Sequence, residues 1–423
     1  MPNSSAECGA AAGCFRPEQA VRLELFLHPG IAMSSPRLLS PALLTLVVAA
    51  FAIGTAEFVI MGLLPIIAAD LRIDLPRAGY LVSAYALGVV AGGPLLAGLI
   101  ARLEEKRALM ALMLIFIAGN LACLLAPKLM PLLLARVLTA LCHASFIGAA
   151  AVMASRLAPP GMEGRAMALM FSGMTLANVL GVPAGTLIGQ LSGWRTSFAV
   201  VMTLGIVALL LIRWQVPDRT GDKQTGIQPP RLPGMVWCAL LCSVLAASSM
   251  FAFFTYLLPL LNQISGLPLE YASPVLLLCG MGLVIGGWLG GRLTDWNLSR
   301  GLVLTLLLLC ASLICFYLLA ARLSLALTLM TMWGSMAFAL CMLLQALVIR
   351  LAGQAAARAS TFNVAAFNLG NALGAWLAGG LLDQGGSLER LSLLAAGLAG
   401  LTLLATLGVL HGSAAQRARF ANA

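Results

Sequence analysis

From Pro41 onward the chain is a succession of apolar runs, each about 20 residues long and separated by short stretches that hold its glycines, prolines and charges. A run of that length forms a helix that crosses about 30 Å of hydrocarbon. Twelve such runs are legible, at residues 41–64, 77–101, 107–126, 131–157, 165–191, 196–215, 234–261, 272–294, 301–320, 324–349, 358–382 and 391–411. The longest polar interval between them, Pro217 to Pro233, carries Asp218, Arg219, Asp222, Lys223 and Arg231 and divides six runs from six. The pattern predicts an all-α membrane protein with twelve transmembrane helices. Its organisation would be a disordered N-terminal tail at 1–40, a six-helix bundle at 41–216, a linker at 217–233, a second bundle at 234–411 and a tail at 412–423. In the first tail the apolar patch Leu23 to Leu27 is shorter than the core of a secretory signal. Met33, just ahead of the first run, is an alternative start to Met1.

The two halves repeat. A shift of 193 positions carries Gly93 onto Gly286, Gly98 onto Gly291, Arg107 onto Arg300, Arg165 onto Arg358, Asn178 onto Asn371, Gly181 onto Gly374 and Gly193 onto Gly386, without a gap. Coincidences at turn and polar positions mark an internal duplication. With six runs per unit, the second unit enters the membrane from the same side as the first. The two are then parallel pseudo-repeats about an axis along the membrane normal, an arrangement that places a binding site between the halves near the midplane.

Charge adds the orientation. If the termini and the 217–233 interval share one side, 18 of the 25 Lys and Arg fall there and 6 on the other side, Arg136 lying within a run. Positive charge accumulates on the cytoplasmic face, so both termini are expected in the cytoplasm. The net charge of +10 is spread in pairs between apolar runs, which is a topology signal and argues against nucleic acid as a partner. Eight of the ten cysteines sit inside apolar runs and read as small hydrophobes, and no Cys/His spacing suits a metal. Neither a catalytic set nor a soluble domain is present to make the chain an enzyme, and no cofactor is expected.

Candidate chemistry begins with Glu57, the one carboxylate deep inside a run, in Ile53-Gly-Thr-Ala-Glu-Phe-Val-Ile-Met-Gly-Leu-Leu-Pro65. A charge near the bilayer centre costs roughly 2.5 to 3.5 kcal/mol, so it calls for a partner, a water-filled cavity or a proton. The other reading is a structural carboxylate satisfied by a neighbouring helix. Arg136 and His143 lie two turns apart on one face of the fourth run. Arg136 either holds Glu57 or a water in a set protonation state or snorkels to headgroups. His143 either relays protons or packs with a hydrogen bond. Neutral amides at Asn178, Gln345, Asn363, Asn368 and Asn371 can bind hydroxyls or amides of a substrate, and Phe254, among Phe251, Phe253 and Tyr256, lines a pocket or packs.

Gly54-Thr-Ala-Glu57-Phe with Met61-Gly-Leu-Leu-Pro65, Phe367-Asn-Leu-Gly-Asn-Ala-Leu-Gly-Ala-Trp376, the six-plus-six pattern and a Pro/Gly-rich fifth run carry a resemblance. The chain resembles the major facilitator superfamily, in its drug:proton antiporter branch, and within that the arabinose-efflux-permease-like bacterial exporters, over residues 40 to 411. That resemblance implies gating residues. The loop after the second run reads Gly98-Leu-Ile-Ala-Arg102-Leu-Glu-Glu-Lys106-Arg107, with Arg102 where the family has an acid; the second copy keeps Gly291 and Asp295. Asp295 would cap a helix or meet an arginine and so fasten one state, or is a solvated loop charge. In Asn178-Val-Leu-Gly181-Val-Pro183-Ala-Gly185, small residues allow close helix approach and Pro183 permits a bend. Arg136 matches the buried arginine of the family's fourth span. The implied function is proton-coupled efflux of small organic molecules, drug, sugar or similar, by alternating access. The partners are then a small-molecule substrate, a proton and membrane lipid, with the chain acting as a monomer. The alternative is a facilitator or symporter in which Glu57 binds substrate.

Overall fold

The computed structural model describes residues 39–100, 103–159, 161–218 and 231–421. The N-terminal tail to residue 38 and residues 219–230 of the expected linker lie outside them. The described residues form helices and turns and no strand.

Twelve spans follow one another in two sets of six. The first set is α1 (Pro41–Leu71), α2 (Leu75–Ile100), α3 (Glu105–Leu125), α4 (Leu129–Leu157), α5 (Glu163–Ser192) and α6 (Trp194–Gln215). The second begins with α7 (Gly234–Phe254, continued as Leu257–Ser265). The next helical stretch, Ala272–Leu319, is 48 residues long but contains two spans, because Asn297 leaves helical geometry at φ −168°, ψ 105°. Its Oδ1 accepts the Arg300 N–H at 3.0 Å, the bond of an N-cap, so 272–296 is α8 and 298–319 is α9, turned without a loop. Next are α10 (Leu323–Ala352), α11 (Ala356–Asp383) and α12 (Arg390–Ala421). The last runs beyond residue 411, where the apolar pattern stops, since Gly412 to Ala421 is mostly Ala, Gln and Arg and contains no proline to end a helix.

Local chemistry sets the ends. Ser40 caps α1, its Oγ accepting the Leu43 N–H at 3.2 Å, with Pro41 in the first turn where no amide donor is needed. Gly193 at φ 85° turns the chain between α5 and α6, a conformation that a side chain would strain. Two spans are interrupted where the functional candidates sit. Helix α4 breaks at Cys142, whose thiol donates to the Thr139 carbonyl at 3.2 Å. In α5, residues Ala177–Gly181 widen into a π turn just before Pro183, which cannot donate to the carbonyl one turn back.

Packing between helices in a bilayer rests on close van der Waals contact, since lipid is as apolar as leucine. Glycines supply it here. A side chain at Gly181, Gly185 or Gly189 of α5 would strike Thr55, Val59 or Leu63 of α1, so these two helices touch at every turn on either side of Glu57. On α2, Gly88 and Gly92 bring its backbone against Val137, Ala140 and Leu141 of α4.

Candidate functional site

The α2–α4 and α1–α5 contacts enclose a polar cluster in the first half. Glu57 is 8 % exposed and Arg136 is fully buried. The Arg136 guanidinium donates through Nη1 to the Ala56 carbonyl at 2.7 Å and through Nη2 to the Glu57 carbonyl at 3.3 Å, so it grips the main chain of α1 and not the carboxylate. Its plane lies over the ring of Tyr85 from α2, 4.2 Å from the centroid. The Tyr85 hydroxyl is 3.1 Å from Nδ1 of His143, and that same nitrogen is 3.9 Å from Oε2 of Glu57. The sequence expectations for Arg136 and His143 therefore meet at one place. With no exposure and donors aimed at α1, Arg136 does not snorkel to headgroups. The Glu57 carboxylate is thus left without a hydrogen bond from the guanidinium.

Tyr85 was not singled out in the sequence, where a tyrosine in an apolar helix reads as packing. The signal was its spacing from Gly88 and Gly92. Two small residues four apart press that face of α2 onto a neighbour, which forces the polar tip of Tyr85 inward.

The amides form a second group in the other half. Asn363 of α11 donates from Nδ2 to Oε1 of Gln345 at 2.6 Å, and Gln345 of α10 donates from Nε2 to Oγ of Ser360 at 2.6 Å. Asn368 turns back to the Val364 carbonyl at 3.0 Å. The Oδ1 atoms of Asn363 and Asn368 are buried and have no hydrogen-bond partner. Among the described residues no hydrogen bond joins this group to the Glu57 cluster. Phe254 packs on Phe251 (centroids 6.2 Å) and Trp333 (5.6 Å), and Phe251 in turn meets Phe58, the neighbour of Glu57, at 6.3 Å across the halves.

Asn178 lies in the α5 π turn, donating to the Met174 carbonyl at 3.2 Å while its own carbonyl abuts Gly280 of α8. Its repeat mate Asn371 is buried in α11, next to the Ala372 carbonyl that accepts the Ser83 hydroxyl at 3.0 Å. These contacts belong to a seam between the halves. Along it Tyr80 donates to Asp383 at 2.9 Å, Ser273 donates to the Pro183 carbonyl at 2.9 Å, Tyr256 lies 3.4 Å from the Pro76 carbonyl, and Gln190 donates to the Leu269 carbonyl. Among the described residues, the hydrogen bonds that bridge the two sets of helices lie in the halves of those helices remote from the Pro217–Pro233 interval. That far side is closed.

The loop residues are on the linker side. Gly98 falls in the last turn of α2, and Arg102 lies outside the described residues. Arg107 pairs with Glu104 at 3.2 Å; beside them Lys106 pairs with Asp218 at 3.3 Å and Arg156 with Glu105. In the second copy, Gly291 faces open space, and Asp295 shares a cavity of about 250 Å³ with Thr294, Asn297, Ser299 and Arg350.

Twelve apolar helices in two parallel sets, closed against each other on one side and holding a buried carboxylate beside an arginine, are the fold of a multi-pass membrane transporter. The model of the Major Facilitator Superfamily matches residues 46–375, and the chain belongs to that family. It is 39 % identical over 365 residues, 86 % of its length, to the inner membrane transport protein YdhP of Escherichia coli K12, covering 94 % of it. Over 337 residues, 78 % of its length, it is 34 % identical to the chloramphenicol resistance protein of Streptomyces lividans, covering 86 % of it. Among solved structures it resembles a bacterial homolog of the human lysosomal transporter Spinster in an inward-facing and unoccupied conformation. The TM-score is 0.64 at 18 % identity, over 88 % of this chain and 95 % of that one.

Proposed function

We propose that this transporter exports small organic molecules across the bacterial inner membrane in exchange for protons. It works as a monomer by alternating access, with both termini in the cytoplasm. The observation that carries the reading is the placement of Glu57. It is the carboxylate among the described residues that lies deep in a span, and the cationic group near it is tied to main-chain carbonyls, which leaves the carboxylate free to take or release a proton.

The cycle follows from the two halves. With the far side closed by the seam from Tyr80–Asp383 to Ser273–Pro183, a substrate enters from the linker side. The amides of Gln345, Asn363 and Asn368 and the ring of Phe254 contact it, without the desolvation cost that charged groups would add. Rocking of the six-helix bundles 41–216 and 234–411 opens the far side, where the substrate leaves and Glu57 is protonated. The return step delivers the proton inward. Gly181, Pro183 and Gly185 let α5 slide and bend on α1 during this motion. Gly98, Arg102 and Arg107, with Gly291 and Asp295, fasten the linker side in its closed state. The relatives, one an inner membrane transport protein and one a chloramphenicol resistance protein, fit an exporter.

The test is a substrate panel in everted membrane vesicles. Uptake of at least one amphipathic compound should be driven by an imposed proton gradient and collapse with a protonophore. Uptake that is indifferent to the protonophore and only runs downhill would overturn the coupling and favour a facilitator.

A further inference from the structure

The arrangement around His143 contains a competition. Its Nδ1 faces two oxygens, the Tyr85 hydroxyl at 3.1 Å and Oε2 of Glu57 at 3.9 Å. A ring nitrogen offers either one lone pair or one proton, so it can serve one of these partners at a time. The shorter contact is with Tyr85, within hydrogen-bond range, whereas the Glu57 distance lies beyond it. Tyr85 cannot retreat. Its ring is buried, capped by the Arg136 guanidinium at 4.2 Å, set edge-on to the imidazole at 74°, and held by the tight contact of Gly88 with Val137 and Ala140.

Resting on the reading of Glu57 as the proton carrier, we propose that Tyr85 is a positioning residue for the proton step. Its hydroxyl donates to Nδ1 of a neutral His143 and so keeps the imidazole from pairing with the Glu57 carboxylate. No proton leaves the tyrosine; the O–H stays intact and the His143 proton resides on Nε2. Glu57 then exchanges its proton with water or substrate as a single group. Without the hydroxyl, Nδ1 is free to take a proton and turn to Glu57. The resulting imidazolium–carboxylate pair favours the ionised acid. Besides Glu57, the ionisable groups that act on Tyr85 are Cys123 from α3 and Arg136 and Cys142 from α4. The packed stretches of α5 (166–192), α6 (196–212) and α11 (359–382) carry no Asp, Glu, Lys, Arg, His, Cys or Tyr.

Tyr85→Phe keeps the ring under Arg136 and deletes the hydroxyl. In everted vesicles the pH midpoint of gradient-driven transport should move acidward by about one pH unit, because an opposite charge now adjoins Glu57. Adding His143→Asn should return the midpoint to the wild-type value, and His143→Asn alone should leave it there. An unmoved midpoint in Tyr85→Phe, or a shift that persists in the double variant, overturns the proposal. A second measurement needs no variant at position 85. The chain has three histidines, so the nitrogen-15 signals of His143 can be assigned by their loss in His143→Asn. They should report protonated Nε2 and bare Nδ1 at neutral pH; a proton on Nδ1 contradicts the proposal. Glu57→Gln separates the two levels: if it leaves gradient-driven transport intact, the proton-carrier reading has failed, and if it abolishes transport while the His143 signals contradict the tautomer, only the role of Tyr85 has failed.

Discussion

Gly280 offers a way to weigh the seam that closes the far side. A Cβ built there lies 2.7 Å from the Asn178 carbonyl oxygen and 2.9 Å from the Val179 Cα, both main-chain atoms of α5 that cannot rotate away. Gly280→Ala must therefore push α8 off the α5 π turn, and overpacking of that kind costs about 1–3 kcal/mol. The cost falls on the state in which α5 and α8 touch. If the halves part there in the opposite state, the equilibrium shifts toward far-side opening by roughly 5- to 150-fold. Ser83 reports on this, because it is buried in the same seam with its hydroxyl on the Ala372 carbonyl. In a Ser83→Cys background, labelling by a membrane-impermeant maleimide added from the far side should rise at least several-fold when Gly280→Ala is introduced. Gly400→Ala, at a glycine of α12 that faces open space and has no part in the gate, is the matched control and should not change labelling. Equal labelling with and without Gly280→Ala would refute the argument that this contact holds the halves together.

Two further outcomes are expected. A reporter active only in the cytoplasm should be active when fused within Pro217–Pro233 or after Ala423, and silence at both positions would invert the orientation. Arg136→Lys keeps the charge but offers a point donor in place of a fork that spans the Ala56 and Glu57 carbonyls at 2.7 and 3.3 Å. Losing one such charge-assisted bond, worth about 1.5–3 kcal/mol, should lower the melting temperature of the detergent-purified protein and slow transport at least tenfold. Wild-type melting and transport would show that the fork is dispensable.

What could be read from the chain, and what could not, divides along physical lines. Span length and repetition are set by bilayer thickness and by duplication, so the twelve runs and the 193-residue offset were legible without contacts. Glu57, Arg136 and His143 stood out because charge in an apolar run is costly whatever surrounds it. That Arg136 holds main chain, and that its face is Tyr85, depends on how closely α2 lies on α4. Only the pair Gly88 and Gly92 hinted at this. Ser360, which joins Gln345 and Asn363, was equally silent, since a serine in a helix usually bonds back to its own turn. The break at Cys142 follows no proline or glycine, and the turn at Asn297 hides between two apolar runs as a single capping residue. Arg102 stands in place of an acid in the first loop, and there Glu104 pairs with Arg107, Glu105 with Arg156 and Lys106 with Asp218.

The central claim is that the Glu57 carboxylate carries the coupling proton, and Glu57→Gln tests it with the shape kept and the charge change removed. In everted vesicles loaded with a transported compound, two rates are measured side by side, uphill uptake driven by a proton gradient and downhill exchange of labelled for unlabelled substrate. The account predicts that uphill uptake falls to background while exchange stays within about twofold of wild type. Uphill pumping at the wild-type rate would place the coupling elsewhere. Loss of exchange and of substrate binding together would make Glu57 a substrate ligand.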